Sequence, residues 1–440
     1  MTSKESLDLA RWAVDRARKQ GAGEVAANIS SNRSVEVEVR AGKVEKLQES
    51  VQNSLSIAVY LNQRYSSNST SDLRRERLAT FISEAVAMTR YLAPDPFRTL
   101  PDPKYYAGQE KRELNLVDPG YDKLDTSERV RLAKAIEAAA LAQSNKIISV
   151  TTSFADGISR NFKVHSNGFE GEVNGTTFSV SAEATVNDGK GGRPEDYAYA
   201  DKRHLKELPD VAVVGKEAAE RAVKKIGQRK IASGRYDLLV ENRCASQLFG
   251  AVISALTARA LQQKTSFLDG MLGKTIAWEK LTVAEDPFIP AGAGSRWFDS
   301  EGIAARKRSV IENGVLKTYY IDNYYGRKLG MEPTTSRPSN VVFSLGDKNL
   351  AAMIQGLPKA ILISNFIGGN SNATTGDFSY GIMGSYVENG AIKQPVNEMN
   401  VSGNFKELWK QLVALGNDPF PYGSTRIPTL HFRDVKFSGL

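Results

Sequence analysis

SVEVEVRAGKVEKLQES, residues 34–50, is the stretch on which the fold turns. Val35, Val37 and Val39 alternate with polar residues, the two-residue period of a strand with one buried face. Ala41-Gly42-Lys43 interrupts the alternation where a tight turn would send the chain back. The spacing therefore predicts a β-hairpin. Just beyond it, NSLSIAVYL at 53–61 carries a second strand pattern on Ile57, Val59 and Leu61. Towards the N-terminus, Leu7, Ala10, Val14 and Ala17 recur at helical spacing and predict a helix over 3–20 that stops at Gly21 and Gly23. On the other side a helix is expected from an Asp72 cap to Tyr91, ended by Pro94 and Pro96.

Residues 94–125, rich in Pro, Asp, Tyr and Gly, read as an extended connection. SERVRLAKAIEAAALAQ (127–143) reads as a helix, followed by strands at 147–154 and 160–165. HSNGFEGEVNGTTFSVSAEATVND (165–188) suggests successive short strands with glycine turns, and a helix is expected at about 213–227. QRKIASG at 228–234 combines charge, Ser and Gly, and sets a boundary between domains at 1–230 and 231–440. The second half opens on the strand YDLLVE and a helix, then alternates short strands with turns at ENG (312–314), VENG (387–390) and VSGN (401–404). A last helix at about 404–415 leads into an irregular tail. The fold class is α+β, with an N-terminal mixed domain of helices on a sheet and a C-terminal, β-rich, largely antiparallel domain.

At 440 residues the chain exceeds one ordinary core. Its composition is 41% hydrophobic and 25% charged, without an apolar run of membrane-spanning length, so a globular cytoplasmic protein is expected. A lone cysteine, Cys244, excludes an internal disulfide framework. A net charge of +8 centres on RAVKKIGQRKIASGR (221–235), which reads as a helix end and linker rather than as a nucleic-acid patch.

Motifs for chemistry mostly fail. Gly273-Lys274-Thr275 ends like a phosphate-binding loop, but Leu268 stands where its first glycine is required. His165, His204 and His431 form no ligand-spaced pair. Asp188, Glu195 and Asp196 in NDGKGGRPED lack the spacing of a calcium loop and read as surface. Asp299 and Glu301 in WFDSEGI could share a proton or bind a cation, or could simply shape a turn. SNFIGGNSNATTGDFSYGIMGSY (364–386) combines five glycines with uncharged hydrogen-bonding side chains, which suits either close approach by a ligand or a series of turns.

The segments KTSFLDGMLGKTIAWEKLTVAEDP, FDSEGIAARKRSVIENGVLKTYYIDNYYGRKLG and TTGDFSYGIMGSYVENGAIKQPV, with their order over nearly the whole chain, resemble the TldD/PmbA family. That family has been labelled a modulator of DNA gyrase and linked to cytoplasmic metalloprotease activity. The resemblance implies two branches that pair. The TldD-like branch carries HExxxH on the helix before a T-S-x-x-x-G-x-x-G segment, and a late cysteine completes its zinc site. Counting back from Thr265-Ser266 places the HExxxH positions on Phe249-Gly250-Ala251-Val252-Ile253-Ser254. Phe249 and Ser254 replace the histidines and Gly250 the glutamate, and residues 362–384 hold no cysteine. None of these can ligate zinc tightly or act as a base.

The resemblance therefore implies the metal-free PmbA/TldE branch, with no catalytic residue and no metal in this chain. Zinc would be carried by a TldD-like catalytic partner in a hetero-oligomer acting on unfolded peptides or small proteins. Asn365, Gly368, Gly369, Asn370, Thr375 and Asp377 are the candidate peptide-binding residues, at a sheet edge to which an extended chain could add. Alternatives are a stand-alone peptide- or protein-binding module, as a possible homodimer, a DNA gyrase-associated factor, and a hydrolase built on Asp299 and Glu301. No membrane is implied.

Overall fold

A computed structural model describes residues 1–110 and 112–440 and gives an α+β protein with three sheets. The first sheet is built on the hairpin of β1 (Glu24–Arg40) and β2 (Lys43–Leu61). Its turn has Ala41 and Gly42 both at positive φ, 51° and 72°, the primed geometry that matches the twist of paired strands. β2 is one strand, where the sequence suggested two patterns separated near residue 50. β3 (Arg64–Thr70), β4 (Ile147–His165), β5 (Glu170–Val186) and β6 (Glu195–Lys202) complete the antiparallel order β3-β2-β1-β4-β5-β6.

β4 replaces the two separate strands expected at 147–154 and 160–165, and β5 replaces a series of short ones. The glycines inside β5 are not turns. A Cβ at Gly171 would lie 2.4 Å from the Phe298 ring, and one at Gly175 would lie 2.7 Å from the Arg203 guanidinium, so both admit close side chains.

Four helices cover a single face of this sheet. They are α1 (Ser3–Lys19), α2 (Arg75–Thr89), α3 (Thr126–Leu141) and α4 (Val211–Lys224). A Thr2/Glu5 capping box starts α1, which buries Leu9, Ala10, Ala13, Val14 and Ala17. The expected Asp72 cap is corrected: α2 begins after Arg74, and Asp72 instead accepts from the Arg74 backbone and guanidinium. Under the helices lie Val25, Ala27, Ile29, Leu55, Ile57 and Val59 at one end, and Val37, Val39, Phe154, Phe178 and Val180 at the other. Within that apolar layer the Arg129 guanidinium of α3 grips Asp156 of β4 through two hydrogen bonds of 2.5 and 2.9 Å.

The second half contains β7 (Gly234–Val240), α5 (Asn242–Ala255), α6 (Ala258–Gln262), β8 (Val283–Glu285), β9 (Arg308–Glu312) and β10 (Val315–Leu316). It continues with α7 (Asn323–Leu329), β11 (Val341–Phe343), α8 (Leu350–Gln355), β12 (Lys359–Ser371), β13 (Asp377–Glu388) and β14 (Ala391–Asn404). It ends with α9 (Phe405–Leu408), β15 (Leu412–Leu415), β16 (Thr425–Arg426) and β17 (Leu430–Ser438). One sheet runs β10-β9-β8-β11-β16. The other runs β14-β13-β12-β7-β17-β15, and β14 also pairs with β17, so five strands close into a ring.

Three expectations fail here. The helix expected at 404–415 ends after one turn and becomes β15, and the irregular tail is β17, paired with β7, β14 and β15. VSGN at 401–404 lies inside β14 rather than at a turn, whereas ENG and VENG do turn, with Asn313 and Asn389 at positive φ.

Candidate functional site

The helix that carries the degenerate motif is α5, which follows β7 and packs against β12. Cys244, Ala245, Leu248, Phe249, Val252 and Ala255 turn inward at helical spacing. Phe249 is 1% exposed and makes edge-to-face contacts with Phe343, at 4.7 Å between ring centroids, and with Trp409, at 5.5 Å. Gly250 and Ser254 face outward, and the Ser254 hydroxyl donates to the Gly250 carbonyl across one turn at 2.9 Å. A hydrocarbon ring locked in the core, a residue without a side chain and an outward hydroxyl bonded to its own helix do not fit a zinc ion. The Cys244 thiol is buried over the Glu241 and Ile363 carbonyls, and burial pushes its pKa up, away from the reactive thiolate.

The T-S-x-x-x-G-x-x-G segment and the late glycine-rich segment, far apart in sequence, meet. The Phe267 backbone N–H donates to the Ala373 carbonyl at 2.8 Å, and the Phe267 ring stacks on Phe405, which stacks in turn on Phe378. Gly376 sits at φ +89° with the Phe267 ring 3.2 Å from where a Cβ would be, so the turn and the contact both exclude a side chain.

All six candidate peptide-binding residues lie on the β12–β13 hairpin, but they do not form one cluster. Thr375 donates to Asp377 at 2.7 Å, and Asn404 donates to the Thr375 carbonyl and the Asp377 carboxylate. These bonds hold the Asp377 carboxyl below its usual range and fix the tip of the hairpin. Gly368 and Gly369, at φ +78° and +122°, form a bulge, and a Cβ on Gly369 would collide with the Ser379 carbonyl. Asn365 and Asn370 stand before and after that bulge. The expected sheet edge is narrower than the whole segment. β13 is flanked on both sides, while β12 pairs with β7 only over Ala360–Ile363 and runs on past it from Asn365 to Ser371.

Other sequence signals resolve into structure. Of the basic run, Arg221 pairs with Glu241, Lys225 with Asp196, Lys230 with Glu398 and Arg235 with Asp434, while Arg229 donates to Gln394. The charges of Arg221 and Lys225 are spent inside the protein, whereas the pairs of Lys230 and Arg235 lie on its surface. Asp196, read as part of a surface loop, is buried between Arg221 and Lys225. Asp299 accepts from the Glu301 and Ile303 backbone, Thr335 and Ser336 and therefore builds a turn. Glu301 points elsewhere, into a cavity against the first sheet, and burial pushes its carboxyl up to about 8. Arg98 and Lys163 line that same cavity and carry no motif that could have marked them in the sequence. Among the described residues no helix is long and apolar enough to cross a membrane.

Comparison with known proteins agrees with this arrangement. Residues 119–226 match the family model for the PmbA/TldA metallopeptidase central domain and residues 233–439 the model for its C-terminal domain. The chain is 29% identical to the metalloprotease PmbA of Escherichia coli O157:H7, over 96% of this chain and 93% of that protein. A PmbA homologue of Haemophilus influenzae is 28% identical over 97% and 95%. A crystal structure of a candidate modulator of DNA gyrase from Bacteroides thetaiotaomicron superposes with a TM-score of 0.96 at 43% identity, covering 99% of both chains. TldE from Thermococcus kodakarensis shares the fold, with a TM-score of 0.87 at 20% identity over the full length of both. With its central and C-terminal regions matched and its whole length superposed on a close relative, the chain belongs to the PmbA/TldD family.

Proposed function

We propose that this chain is the non-catalytic, PmbA/TldE-like subunit of a heteromeric metalloprotease of the TldD/TldE type. A TldD-like partner supplies zinc and the catalytic glutamate, and this chain helps to hold an unfolded peptide or small protein. The observation that carries the reading is the packing of α5. Phe249 fills the core beside Phe343 and Trp409, where the resemblance would place an imidazole. The run of β12 beyond β7, with its bulge at Gly368-Gly369, supports a place where extended substrate adds through its backbone. Asn365, Gly368, Gly369 and Asn370 line this stretch, and Thr375 and Asp377 brace its tip.

The test is cleavage of an unfolded protein by this chain alone, by a cognate TldD-like chain alone and by the mixture, each with and without a zinc chelator. Chelator-sensitive cleavage in the mixture above that of the partner alone is the expected result. Cleavage by this chain alone would overturn the assignment. The rival reading, a stand-alone peptide-binding module, predicts tight peptide capture that a TldD-like chain does not change.

A further inference from the structure

The helices cover only one face of the first sheet, and its other face is polar. Where β1, β2 and β3 run together, that open face carries Ala26, Asn28, Ser56, Ala58 and Ser67, small side chains that leave a shallow floor. The segment 98–101 and residues Ser300, Glu301, Asn323 and Tyr324 from the second half roof it and enclose a cavity of about 250 Å³. The roof is pinned at both ends. The Leu100 N–H donates to Glu24 on β1, and the Asn323 side chain donates to the Thr99 carbonyl.

Arg98 is the unusual member of this wall. Its guanidinium carbon lies 3.5 Å from the ring centroid of Tyr324 and 4.6 Å from that of Tyr65, over both rings. Among the described residues its guanidinium donates to no protein acceptor and has no carboxylate at ion-pair distance. The nearest acid, Asp95, is instead engaged by the Tyr324 hydroxyl at 2.6 Å and by Lys328 at 3.6 Å. Contact with the two rings thus holds the guanidinium in place, while its in-plane N–H groups remain unspent. Lys163 also lines the cavity and donates to the Ser300 carbonyl, and burial pulls its pKa down, which leaves Arg98 as the permanent cation of this wall. Of the acids around the cavity, Glu24 is engaged by the Leu100 N–H and Asp299 by its own turn. Glu301 keeps its proton up to about 8 because it is buried near Asp299, and burial holds the His165 ring, bonded to Tyr106, neutral down to about 3.

We propose that this cavity binds a small carboxylic acid, its carboxylate received edge-on by Arg98 and its polar remainder by Asn28, Ser56 and Ser67. The partner is planar because a guanidinium packed on tyrosine offers its edge, a flat fork of N–H groups. A carboxylate lies in the guanidinium plane and forms two parallel hydrogen bonds with it. Size narrows the class. At about 30 Å³ for each water displaced, the cavity holds about eight waters, so the acid has on the order of ten heavy atoms. A free hydroxy or acylamino acid and the last residue of a peptide share this chemistry.

Isothermal titration calorimetry of the full chain with N-acetylalanine, N-acetylalaninamide, inorganic phosphate and tetra-alanine tests the assignment. Saturable binding of N-acetylalanine is expected, with the amide at least about 10-fold weaker, because each hydrogen bond to a charged group contributes about a 10- to 100-fold preference. Tetra-alanine binding as tightly as N-acetylalanine would identify peptide C-termini as the source, and its failure to bind would identify a free acid. Arg98→Ala lowers the affinity about 10- to 100-fold, and Arg98→Lys, which keeps the charge without the planar fork, also weakens it. Absence of binding by N-acetylalanine, equal binding of its amide, tighter binding of phosphate, or wild-type affinity in a folded Arg98→Ala variant would each overturn the proposal.

Discussion

Replacing Phe249 measures how firmly the α5 core is committed to hydrocarbon. The ring is 1% exposed and meets two aromatic edges, Phe343 and Trp409. Phe249→Leu keeps most of the apolar burial but loses both aromatic pairs, at about 0.5–1.5 kcal/mol each, for a cost of about 1–3 kcal/mol. Phe249→Ala adds a cavity and costs about 3–5 kcal/mol. Phe249→His is the informative change, because it restores the residue type that the zinc-bearing branch would place here. Its ring is smaller and more polar, and a buried nitrogen without a partner costs about 1–3 kcal/mol beyond the lost packing. Urea unfolding followed by far-UV circular dichroism reads all three, with unfolding midpoints falling in the order wild type, Leu, His, Ala. Micromolar zinc is expected to leave the Phe249→His midpoint where it was, since no stabilisation arises without binding to the folded state. A Phe249→His variant as stable as the wild type, or one that zinc stabilises, would refute the argument from packing.

Arg129→Met strands a buried Asp156 carboxylate and is expected to cost about 3–5 kcal/mol in urea unfolding, while the double variant Arg129→Met/Asp156→Leu recovers most of that loss. The Glu301 carboxyl is raised to about 8, above its unfolded value of about 4.3, so its contribution is full at low pH and is lost as pH rises through about 8. His165 acts with the opposite sign between about 3 and its unfolded value of about 6.5, which leaves pH 6.5–8 as the window dominated by Glu301. There the wild type should lose stability as pH rises, and Glu301→Gln should remove that slope. Gly376→Ala, at φ +89° against Phe267, is expected to cost about 1–3 kcal/mol and to speed amide exchange at the Phe267 N–H bonded to Ala373.

Local rules carried the first half of the chain further than the second. The Ala41-Gly42 turn and the helical spacing of Leu7, Ala10, Val14 and Ala17 act between neighbouring residues, so their reading needs no tertiary partner. β17 is different. Its buried residues run Leu430, His431 and Phe432, then Val435 and Phe437, because the register shifts between Phe432 and Val435 where Asp434 adopts φ +54°. That bulge breaks the two-residue period by which a strand is recognised. In NFKELWKQLVAL, Phe405, Leu408, Leu412 and Leu415 repeat like one face of a helix, yet the backbone of β15 pairs with β17 after a single helical turn. The candidate site was legible only as chemistry lost. Phe249, Gly250 and Ser254 could be named from the family resemblance, but that the ring is inward and the hydroxyl outward came from packing.

The sequence by itself determined the family, the α+β class and that Phe249, Gly250 and Ser254 stand on α5 where the resemblance places the zinc motif. Those are matters of residue identity and short-range order. Only the tertiary structure decided that the second half closes a five-strand ring, that Arg221 and Lys225 of the basic run are buried in ion pairs, and that Arg98 meets Tyr65 and Tyr324. Each depends on groups tens to hundreds of residues apart. Their encounter is set by the burial of whole sheets and helices, which no local pattern encodes.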